Sequence, residues 1–283
     1  MSEFRNLFVL RDIRASRVNL MMNDYAAGLP SPLSFLGLGD LLARRLKLKP
    51  WSASVLPVLH AVHASEGRTK PEMENKSNIF SPIEIMEDMV GSVTVSVLIN
   101  LPGCESENAL ARVLTGCRIA GGIIQNDAVK VQALTPDGSA FRGLRRGYAM
   151  LAPEQTKRQV ISKGDNDSLA NIASLLFPVE RPAGFGWIVP AAVGYHLLEE
   201  PNLAPRRTHT RSKDVPHVFA EPLLGIAELV SVRNRRLTEL SPEEFVSTFW
   251  HWDARGDMIL GHSAYYSPSN ELSDLTREVS IHG

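Results

Sequence analysis

The chain is poor in cysteine, has no long apolar run and carries none of the common nucleotide-binding or hydrolase motifs. Its 283 residues include two cysteines, Cys104 and Cys117, which are too few for a disulfide framework or a cysteine-based metal site. No segment approaches the roughly 18 consecutive apolar residues of a membrane-spanning helix, and the first residues lack the layout of a signal peptide. Walker, Rossmann and Gly-x-Ser-x-Gly patterns are absent. We therefore expect a cytoplasmic protein that binds no membrane, no metal and no cofactor.

Charge is balanced over the whole chain but clustered along it. The net charge of −1 argues against a protein that coats nucleic acid indiscriminately. Acidic residues gather at 84–88 and in the tail from Glu239, whereas basic residues form separate groups. Such clusters suit a subunit that holds a polyanion on one face and protein on another, although solvated surface charge explains any single cluster as well. The basic groups lie at residues 5–17, 44–49, 142–146, 206–213 and 233–236.

The helix around which the first half is organised begins at Ser31. A serine there caps free amide groups, and Pro32 fits the first helical position, where a missing N–H costs nothing. Gly37 and Gly39 each disfavour a helix by about 1 kcal/mol relative to alanine, so we expect both to allow close packing against a sheet. The apolar side of this helix comprises Phe35, Leu38, Leu41, Leu42 and Leu46.

Residues 1–135 follow the order strand, helix, strand, strand, helix, strand. The clearest strand runs from Gly91 to Leu101, where branched apolar residues alternate with the others. Pro57 cannot donate to a strand ladder, so we expect the strand Ser54–His63 at an edge or at a bulge. This order is that of the split β-α-β, ferredoxin-like fold, an α+β arrangement that also underlies RNA-recognition modules. The other predicted elements are strands at Leu7–Ile13, Arg118–Gln125 and Val129–Leu134, a helix from Ser106 to Gly116, and a polar excursion at residues 64–89.

Residues 136–283 have less regular patterns, and we expect them to form an extension that packs on the first domain. No internal repeat or long low-complexity tract divides this half further. The predicted elements are helices at Ser168–Phe177, Phe219–Leu229 and Pro242–Trp252, a strand at Gly184–Pro190, and an arginine-rich loop at Asn202–Asp214.

Two segments have the composition of a nucleic-acid contact. The segment Arg142–Met150 combines arginines, glycines and an aromatic ring, which together can hold phosphate and stack a base, although the tip of a surface hairpin has the same composition. Gly121 and Gly122 mark either a bulge or a close approach of backbone to phosphate.

The histidines give no recognisable catalytic or metal-binding spacing. His60 and His63 fall on opposite faces of a strand, and we interpret them as strand or core residues. His251 and Asp253 lie close in sequence, with His262 a little later, but no third ligand or activated nucleophile accompanies them at a known spacing.

Five short motifs occur in one order and carry a resemblance to a known family. Together they resemble the Csy family of type I-F CRISPR surveillance complexes, in particular its Cas-five-type subunit, from about residue 7 to about residue 235. The motifs are Gly28–Pro32 with Phe35 and Gly37, Arg118–Gly122, Gly147–Ala149, Gly186–Pro190 with Gly194 and Tyr195, and the block Phe219–Leu229.

The resemblance implies a non-catalytic, RNA-binding subunit with a modified RNA-recognition fold of the RAMP type, in which residues 64–89 form a thumb. Such a subunit binds the 5′ handle of the CRISPR RNA (crRNA), pairs with the large subunit and adjoins the backbone subunits. It meets target DNA only through the complex, because guide pairing reads the target. The N-terminal amides of the Ser31 helix would add a phosphate site. The expected RNA contacts are Arg11, Arg14, Arg17, Asn19, Ser31, Arg68, Lys70, Gly121, Gly122, Arg142, Arg145, Arg146 and Tyr148.

Two alternatives remain open. Relatives in the wider superfamily cleave precursor crRNA without metal, using a histidine or tyrosine as general acid or base. The candidates for that role here are Tyr148, His251 and His262. Alternatively the chain is a protein-only scaffold whose arginines form salt links to a partner, in which case RNA association would be weak and insensitive to salt.

Overall fold

The computed structural model gives the chain a mixed α+β fold with one large antiparallel sheet and few helices. It describes residues 6–23, 26–65, 70–76, 79–86, 89–153, 173–180, 186–205, 207 and 217–263. Eleven strands form the large sheet, and two further sheets contain two strands each. Within the described ranges no helix has the length and apolar character that crossing a bilayer requires.

The elements are numbered in chain order. The strands are β1 (Leu7–Asn19), β2 (Met21–Asn23), β3 (Ala26–Ala27), β4 (Ser54–Ala64), β5 (Lys70–Lys76), β6 (Ile79–Met86), β7 (Val90–Asn100), β8 (Arg118–Ile119), β9 (Gly122–Ile124), β10 (Lys130–Ala133), β11 (Tyr148–Leu151), β12 (Trp187–Leu197), β13 (Ala220–Ser231), β14 (Trp250–Arg255) and β15 (Met258–Ser263). The helices are α1 (Pro32–Arg45), α2 (Glu107–Val113), α3 (Ser139–Arg142), α4 (Arg235–Thr238) and α5 (Pro242–Ser247).

The first half supplies the middle of the large sheet. β7 pairs with β4 on one side and with β1 on the other, and both β9 and β10 pair along the far side of β1. The predicted order of strands and helices in this half is confirmed, although β1 runs six residues past the predicted end at Ile13. Two irregularities bend β1, and near them Asp12 and Arg17 adopt left-handed backbone conformations with φ of 49° and 55°.

The excursion predicted at residues 64–89 is confirmed for its described part. β5 and β6 pair with each other in a hairpin that forms a separate two-stranded sheet. This hairpin connects β4 to β7 in the chain.

Helix α1 begins where the sequence predicts. The Ser31 side chain caps it by accepting a hydrogen bond from the Leu33 N–H, and Pro32 fills the first position. Gly39 packs against the sheet, since a Cβ there would lie 3.0 Å from the Cβ of Ala53. The same prediction for Gly37 is wrong, because Gly37 is exposed and has no atom within 4 Å of its would-be Cβ.

Of the two alternatives expected for β4, the edge position is wrong, whereas the bulge is present as a register shift between Leu59 and Ala61. Besides β7, two second-half strands pair with β4, through Val55 with Trp250 of β14 and through Val58 with Ala149 of β11. Pro57 lies between these two pairings and is paired with Val97 of β7 on the other side. Because β11 also pairs with β13, strands β4, β14, β15, β12, β13 and β11 form a closed circuit of pairings.

The helix predicted at Phe219–Leu229 is wrong, since these residues lie largely within β13. A short apolar run fits a buried strand as well as a helix, and here pairing along β12 over ten positions decides the conformation. Gly225 permits the pairing, because a Cβ there would lie 2.6 Å from Cγ2 of Val193. The helix predicted at Pro242–Trp252 is partly confirmed: α5 ends at Ser247, and the chain continues as β14.

Of the other second-half predictions, the strand at Gly184–Pro190 is confirmed from Trp187 onward by β12, whereas Gly184 and Phe185 lie outside the described residues. The helix predicted at Ser168–Phe177 is helical at 173–176, and its earlier part lies outside the described residues. Most of the loop predicted at Asn202–Asp214 also lies outside them.

Apolar side chains are buried on both faces of the sheet. On one face the strands pack against α1 and α2 in the larger core. On the opposite face, short helices of the second half cover the near ends of β1, β4 and β7. This second core includes Leu7, Val9, Leu56, Val58 and Leu98 from the strands and Phe141, Leu237 and Phe245 from α3, α4 and α5. The apolar part of this face is therefore closed to ligands.

A buried ion pair links β13 to α4. The carboxylate of Glu228, which is 0% exposed, accepts hydrogen bonds from both Nη atoms of Arg236 at 2.7 and 2.9 Å. The Gly186 N–H donates to the same carboxylate at 3.0 Å. The charge of Glu228 is thus compensated, as a buried carboxylate requires.

Candidate nucleic-acid interface

Beyond the part covered by the second half, the sheet face opposite α1 is polar and open. Paired residues of an antiparallel ladder point to the same side of the sheet, so the pairings of β7 with β1 and β4 place three side chains in each row. All six side chains are exposed or half-buried. We call them the polar face; the rows are Arg14–Thr94–Ala61 and Ser16–Ser92–His63.

The arginine loop, residues 142–147, precedes β11. Side chains from other elements hold it through hydrogen bonds to backbone carbonyls. Arg233 supplies three of the bonds: its Nη1 donates to the carbonyls of Phe141 at 3.3 Å and Arg142 at 2.7 Å. Its Nη2 donates to the carbonyl of Leu144 at 2.7 Å. The planar guanidinium group of Arg233 thus fixes the backbone conformation at the start of the loop.

A second arginine holds the loop from β1. Nη1 of Arg11 donates to the Gly143 carbonyl at 2.7 Å, and its Nε donates to Oε1 of Gln132 at 3.0 Å. At the other end of the loop, Gly147 lies against β4, where a Cβ would come within 2.5 Å of the Leu59 carbonyl oxygen. The guanidinium of Arg11, which the sequence predicts to contact RNA, thus also positions the loop.

His60 of β4 connects the arginine loop to β7. Its Nδ1 lies 2.9 Å from the Arg146 carbonyl oxygen, and its Nε2 lies 2.8 Å from Oγ of Ser96. A carbonyl only accepts, so Nδ1 carries the proton and Nε2 accepts from the Ser96 hydroxyl. The same hydroxyl accepts from the backbone N–H of Asp12 at 3.0 Å. One chain of hydrogen bonds therefore joins β1, β7, β4 and the arginine loop.

The environment of His60 favours its neutral form. Burial lowers the pKa of His60, while the hydrogen bond to the Arg146 carbonyl and the charge of Asp12 oppose this and the charge of Arg145 adds to it. The neutral ring is also the form whose single N–H meets the carbonyl. The hydrogen-bond geometry and the lowered pKa therefore both indicate a neutral His60.

The anchored backbone leaves Arg145 and Arg146 exposed at the border of the polar face. Across the described ranges, neither side chain forms a hydrogen bond or an ion pair. The same holds for the exposed side chains of Arg14 and Arg17. Arg17 lines a shallow cavity of about 260 Å³ together with His63–Ser65 and Val90–Ser92. Four unpaired cations are thus available on this side of the sheet.

The structure gives Ser31 a different role from the expected phosphate contact. Its hydroxyl donates to the Ala192 carbonyl of β12 at 2.6 Å and accepts from the Leu33 N–H at 3.1 Å. The Ser34 N–H donates to the Ser31 carbonyl at 3.0 Å, and Pro32 has no N–H. With these donors engaged, the start of α1 lacks the free amides that an anion site requires.

The two glycines expected near phosphate lie in the β8–β9 turn beside β1. Gly121 is exposed with φ of 77°. Gly122 is buried against β1, where a Cβ would lie 2.8 Å from the Ser16 carbonyl oxygen, so strand packing rather than phosphate explains it. Asn19 is exposed, and its side chain accepts from the Met21 N–H at 2.8 Å.

Tyr148 does not share the polar face with the arginines. It pairs with Leu59, a residue of the core that α1 covers, so its ring lies on the α1 side of the sheet and is 44% exposed. Arg142 is exposed, and its Nη2 lies 3.4 Å from the Thr238 carbonyl oxygen. The backbone of Lys70 begins β5, and Arg68 lies outside the described residues.

Two histidines of the second half, His251 and His262, form a pair on β14 and β15. The rings of His251 and His262 face each other with centroids 4.0 Å apart. Nδ1 of His262 donates to the Ser263 carbonyl at 2.9 Å, and its Nε2 lies 3.6 Å from the Asp253 carboxylate. Burial, and then the charge of His262, lowers the pKa of His251. The described ranges hold no group of three or more histidine, cysteine, aspartate or glutamate side chains placed to bind a metal ion.

Tyr148 and the histidine pair lie in different places. Along β4, Tyr148 pairs with Leu59 and Trp250 pairs with Val55. These positions are four residues apart, or about 13 Å at the usual rise of a strand. The three candidate general acids and bases therefore do not form one site.

Local sequence does not reveal the residues that position the arginine loop. It predicts His60 only as a strand or core residue, and Ser96 only as part of the alternation of β7. It marks Arg233 only as a member of a basic group. Their partners lie between 36 and 92 positions away in the chain, so no local pattern identifies them.

Part of the chain matches a known family. Residues 149–260, from β11 to β15, match the family model for CRISPR-associated protein (Cas_Csy2). The match supports a Csy-family CRISPR-associated protein. The matched segment begins three residues after Arg146, and it includes the β13 strand that lies beside the arginine loop. No curated protein matches the chain.

Proposed function

We propose that this chain is a non-catalytic subunit of a type I-F CRISPR surveillance complex and that it binds the 5′ handle of the crRNA. The observation that carries the proposal is the arginine loop. Its carbonyls are held by Arg11, Arg233 and His60, while the side chains of Arg145 and Arg146 are exposed and, among the described residues, unpaired. Two exposed guanidinium groups on an anchored backbone suit phosphate, which arginine binds in a bidentate manner.

The polar face supports the same proposal. It offers Arg14 and the serine and threonine hydroxyls of β1 and β7 beside the loop. RNA-recognition modules stack bases on aromatic residues of the sheet, but here the apolar part of that face is covered by α3, α4 and α5. RNA would therefore be held at its phosphates and sugars, with the loop and the cations of β1 as the contacts.

The sheet order favours a ferredoxin-like, RAMP-type fold for the first half. Counting β1, β4, β7 and β10 as the first to fourth strands, the order across the sheet is second, third, first, fourth. The β5–β6 hairpin would then be the thumb. In this proposal the large subunit and the backbone subunits bind other surfaces of the chain, target DNA is met through the complex, and the complex acts in the cytoplasm.

The direct experiment purifies the chain together with the products of neighbouring genes and sequences the RNA that accompanies it. The proposal predicts RNA of uniform length with a shared 5′ end. Random fragments, or a complex free of RNA, would contradict it. A complex that retains its other subunits but has no RNA would favour the protein-only scaffold instead.

A second candidate function is a metal-independent endoribonuclease. The observation that favours it is the pair of His251 and His262, whose rings lie 4.0 Å apart with the Asp253 carboxylate nearby. An imidazole with a lowered pKa can act as a general base near neutral pH. Incubating the purified chain with repeat RNA in EDTA tests this function. Cleavage that disappears in His251→Ala would support it, and intact RNA would exclude it.

A further inference from the structure

We propose that Trp51 and Arg44, at the end of α1, form a second contact for a single-stranded polynucleotide, separate from the arginine loop. Trp51 has a φ of 61°, a left-handed conformation that is rare for bulky residues. It is also 59% exposed. It follows Pro50 in the turn between α1 and β4, where a proline and then a positive φ are typical of a type II turn that favours glycine. A large apolar side chain at this position therefore costs both backbone strain and exposure.

A buried carboxylate holds Trp51 and Arg44 in place. Asp40, which is 5% exposed, accepts the Trp51 N–H at 2.9 Å through Oδ1. Its Oδ2 accepts from Nη2 of Arg44 at 2.7 Å. The Arg44 guanidinium lies 5.3 Å from the centroid of the Trp51 ring, and Trp252 packs at 84° to that ring with centroids 5.8 Å apart. The ring and the guanidinium are therefore preorganised although both are largely exposed.

The charge around this pair favours a polyanion over a protein. Lys47 and Lys49 flank the turn, are exposed, and form no ion pair within the part of the chain that the structure describes. The carboxylate of Asp40, beside the turn, is already neutralised by Arg44. Protein interfaces are depleted in lysine, whereas single-stranded nucleic acids are bound by aromatic rings for bases and cations for phosphates. Trp51 would contact a base, and Lys47 and Lys49 the phosphates.

This contact is distinct from the candidate interface. Trp51 lies three residues before β4, whereas His60, which anchors the arginine loop, lies six residues into it. At about 3.3 Å per residue, the start of β4, next to Trp51, is about 20 Å along the strand from His60. The contact of Trp51 with Trp252, a residue packed against the core that α1 covers, also places it toward the opposite face of the sheet.

The experiment measures the affinity of the full-length chain for a fluorescein-labelled oligothymidylate by fluorescence anisotropy. All variants carry Arg145→Glu and Arg146→Glu, so that the arginine loop does not contribute. In this background Trp51→Gly should weaken binding at least about fivefold, the loss of one base–aromatic stack, and Trp51→Phe should stay within about twofold. Glycine is favoured at positive φ, so the Trp51→Gly chain should melt at no lower temperature.

Equal affinities of Trp51→Gly and Trp51→Phe would overturn the proposal. So would a Trp51→Gly chain that binds the oligonucleotide normally but loses another subunit of the complex, because that result identifies a protein interface. Lys47→Glu with Lys49→Glu should flatten the dependence of affinity on salt, and an unchanged slope would exclude phosphate contacts at this turn. None of these measurements depends on whether the arginine loop binds crRNA. That question is tested by comparing the Arg145→Glu, Arg146→Glu chain with the wild-type chain.

Discussion

Nδ1 of His60 donates a hydrogen bond of 2.9 Å to the backbone carbonyl of Arg146. A fully buried side chain of β4 thereby fixes the loop that carries the two unpaired arginines. His60 makes no direct contact with the expected ligand; it is a positioning residue, and its effect on binding should act through the loop.

Replacing His60 by asparagine or by glutamine distinguishes the effects of its two hydrogen bonds. An asparagine amide reaches the position of Nδ1 and keeps the bond to the Arg146 carbonyl, whereas a glutamine amide reaches toward Nε2 and leaves that carbonyl unpaired. We expect His60→Gln to lower the free energy of unfolding by about 1 kcal/mol, the net contribution of one hydrogen bond. We also expect it to weaken RNA binding more than His60→Asn does.

Urea unfolding and RNA anisotropy measure the two effects. Ser96→Ala serves as the control, since it removes the bond at Nε2 and leaves the bond at Nδ1 in place. If His60→Gln and His60→Asn bind RNA equally well, the bond to the loop does not position the arginines.

The two histidines with lowered pKa values predict the pH dependence of stability. Burial lowers the pKa of both His60 and His251, so the unfolded chain binds more protons than the folded chain as pH falls through the ordinary value near 6.5. Stability should therefore decrease as pH falls below the ordinary histidine value near 6.5, and it should level off once the pH lies below the folded pKa values. Urea midpoints across this range should fall less steeply in His60→Asn and in His251→Asn; unchanged slopes in both would contradict the assignment.

The buried pair of Glu228 and Arg236 should be far more sensitive than the surface pair beside it. Arg236→Met leaves the fully buried carboxylate uncompensated and should cost about 3–5 kcal/mol of unfolding free energy. Combining it with Glu228→Gln should recover much of the loss, because glutamine still accepts from the Gly186 N–H. The neighbouring Arg235→Met is the matched control.

Arg235 is 89% exposed and lies 4.0 Å from Glu239, so its replacement should change stability by less than about 1 kcal/mol. Thermal or urea unfolding compares the variants. An Arg236→Met chain as stable as the Arg235→Met chain would show that the buried pair contributes little.

The sequence is sufficient where local chemistry decides the structure. The capped start of α1 at Ser31 and Pro32, the alternation of β7, and α2 with its cap at Ser106 follow from residues close together in the chain. The strand β13 is mistaken for a helix because its apolar run has no decisive period, and only pairing with β12 distinguishes the two.

Long-range pairing also explains which contacts of the candidate site the sequence does not reveal. The sequence identifies Arg145 and Arg146, but their backbone anchor, His60, lies 86 positions away from Arg146. Arg11 is expected to bind RNA, yet the Gly143 carbonyl, 132 positions away, engages its guanidinium. Ser31 is correctly predicted as a cap, but the β12 carbonyl that occupies its hydroxyl is not visible in local sequence.

The most direct test of the proposed crRNA contact compares the double variant Arg145→Glu, Arg146→Glu with the wild-type chain for binding to crRNA handle RNA, by anisotropy at several salt concentrations. We expect a large loss of affinity, a salt slope reduced by about one for each phosphate that is no longer bound, and an unchanged melting temperature. Arg112 is an exposed arginine on α2. Arg112→Glu makes the same change of charge as each of the two loop substitutions and should leave the affinity nearly unchanged. A folded double variant that binds handle RNA like the wild type would contradict the central claim that the arginine loop holds the crRNA.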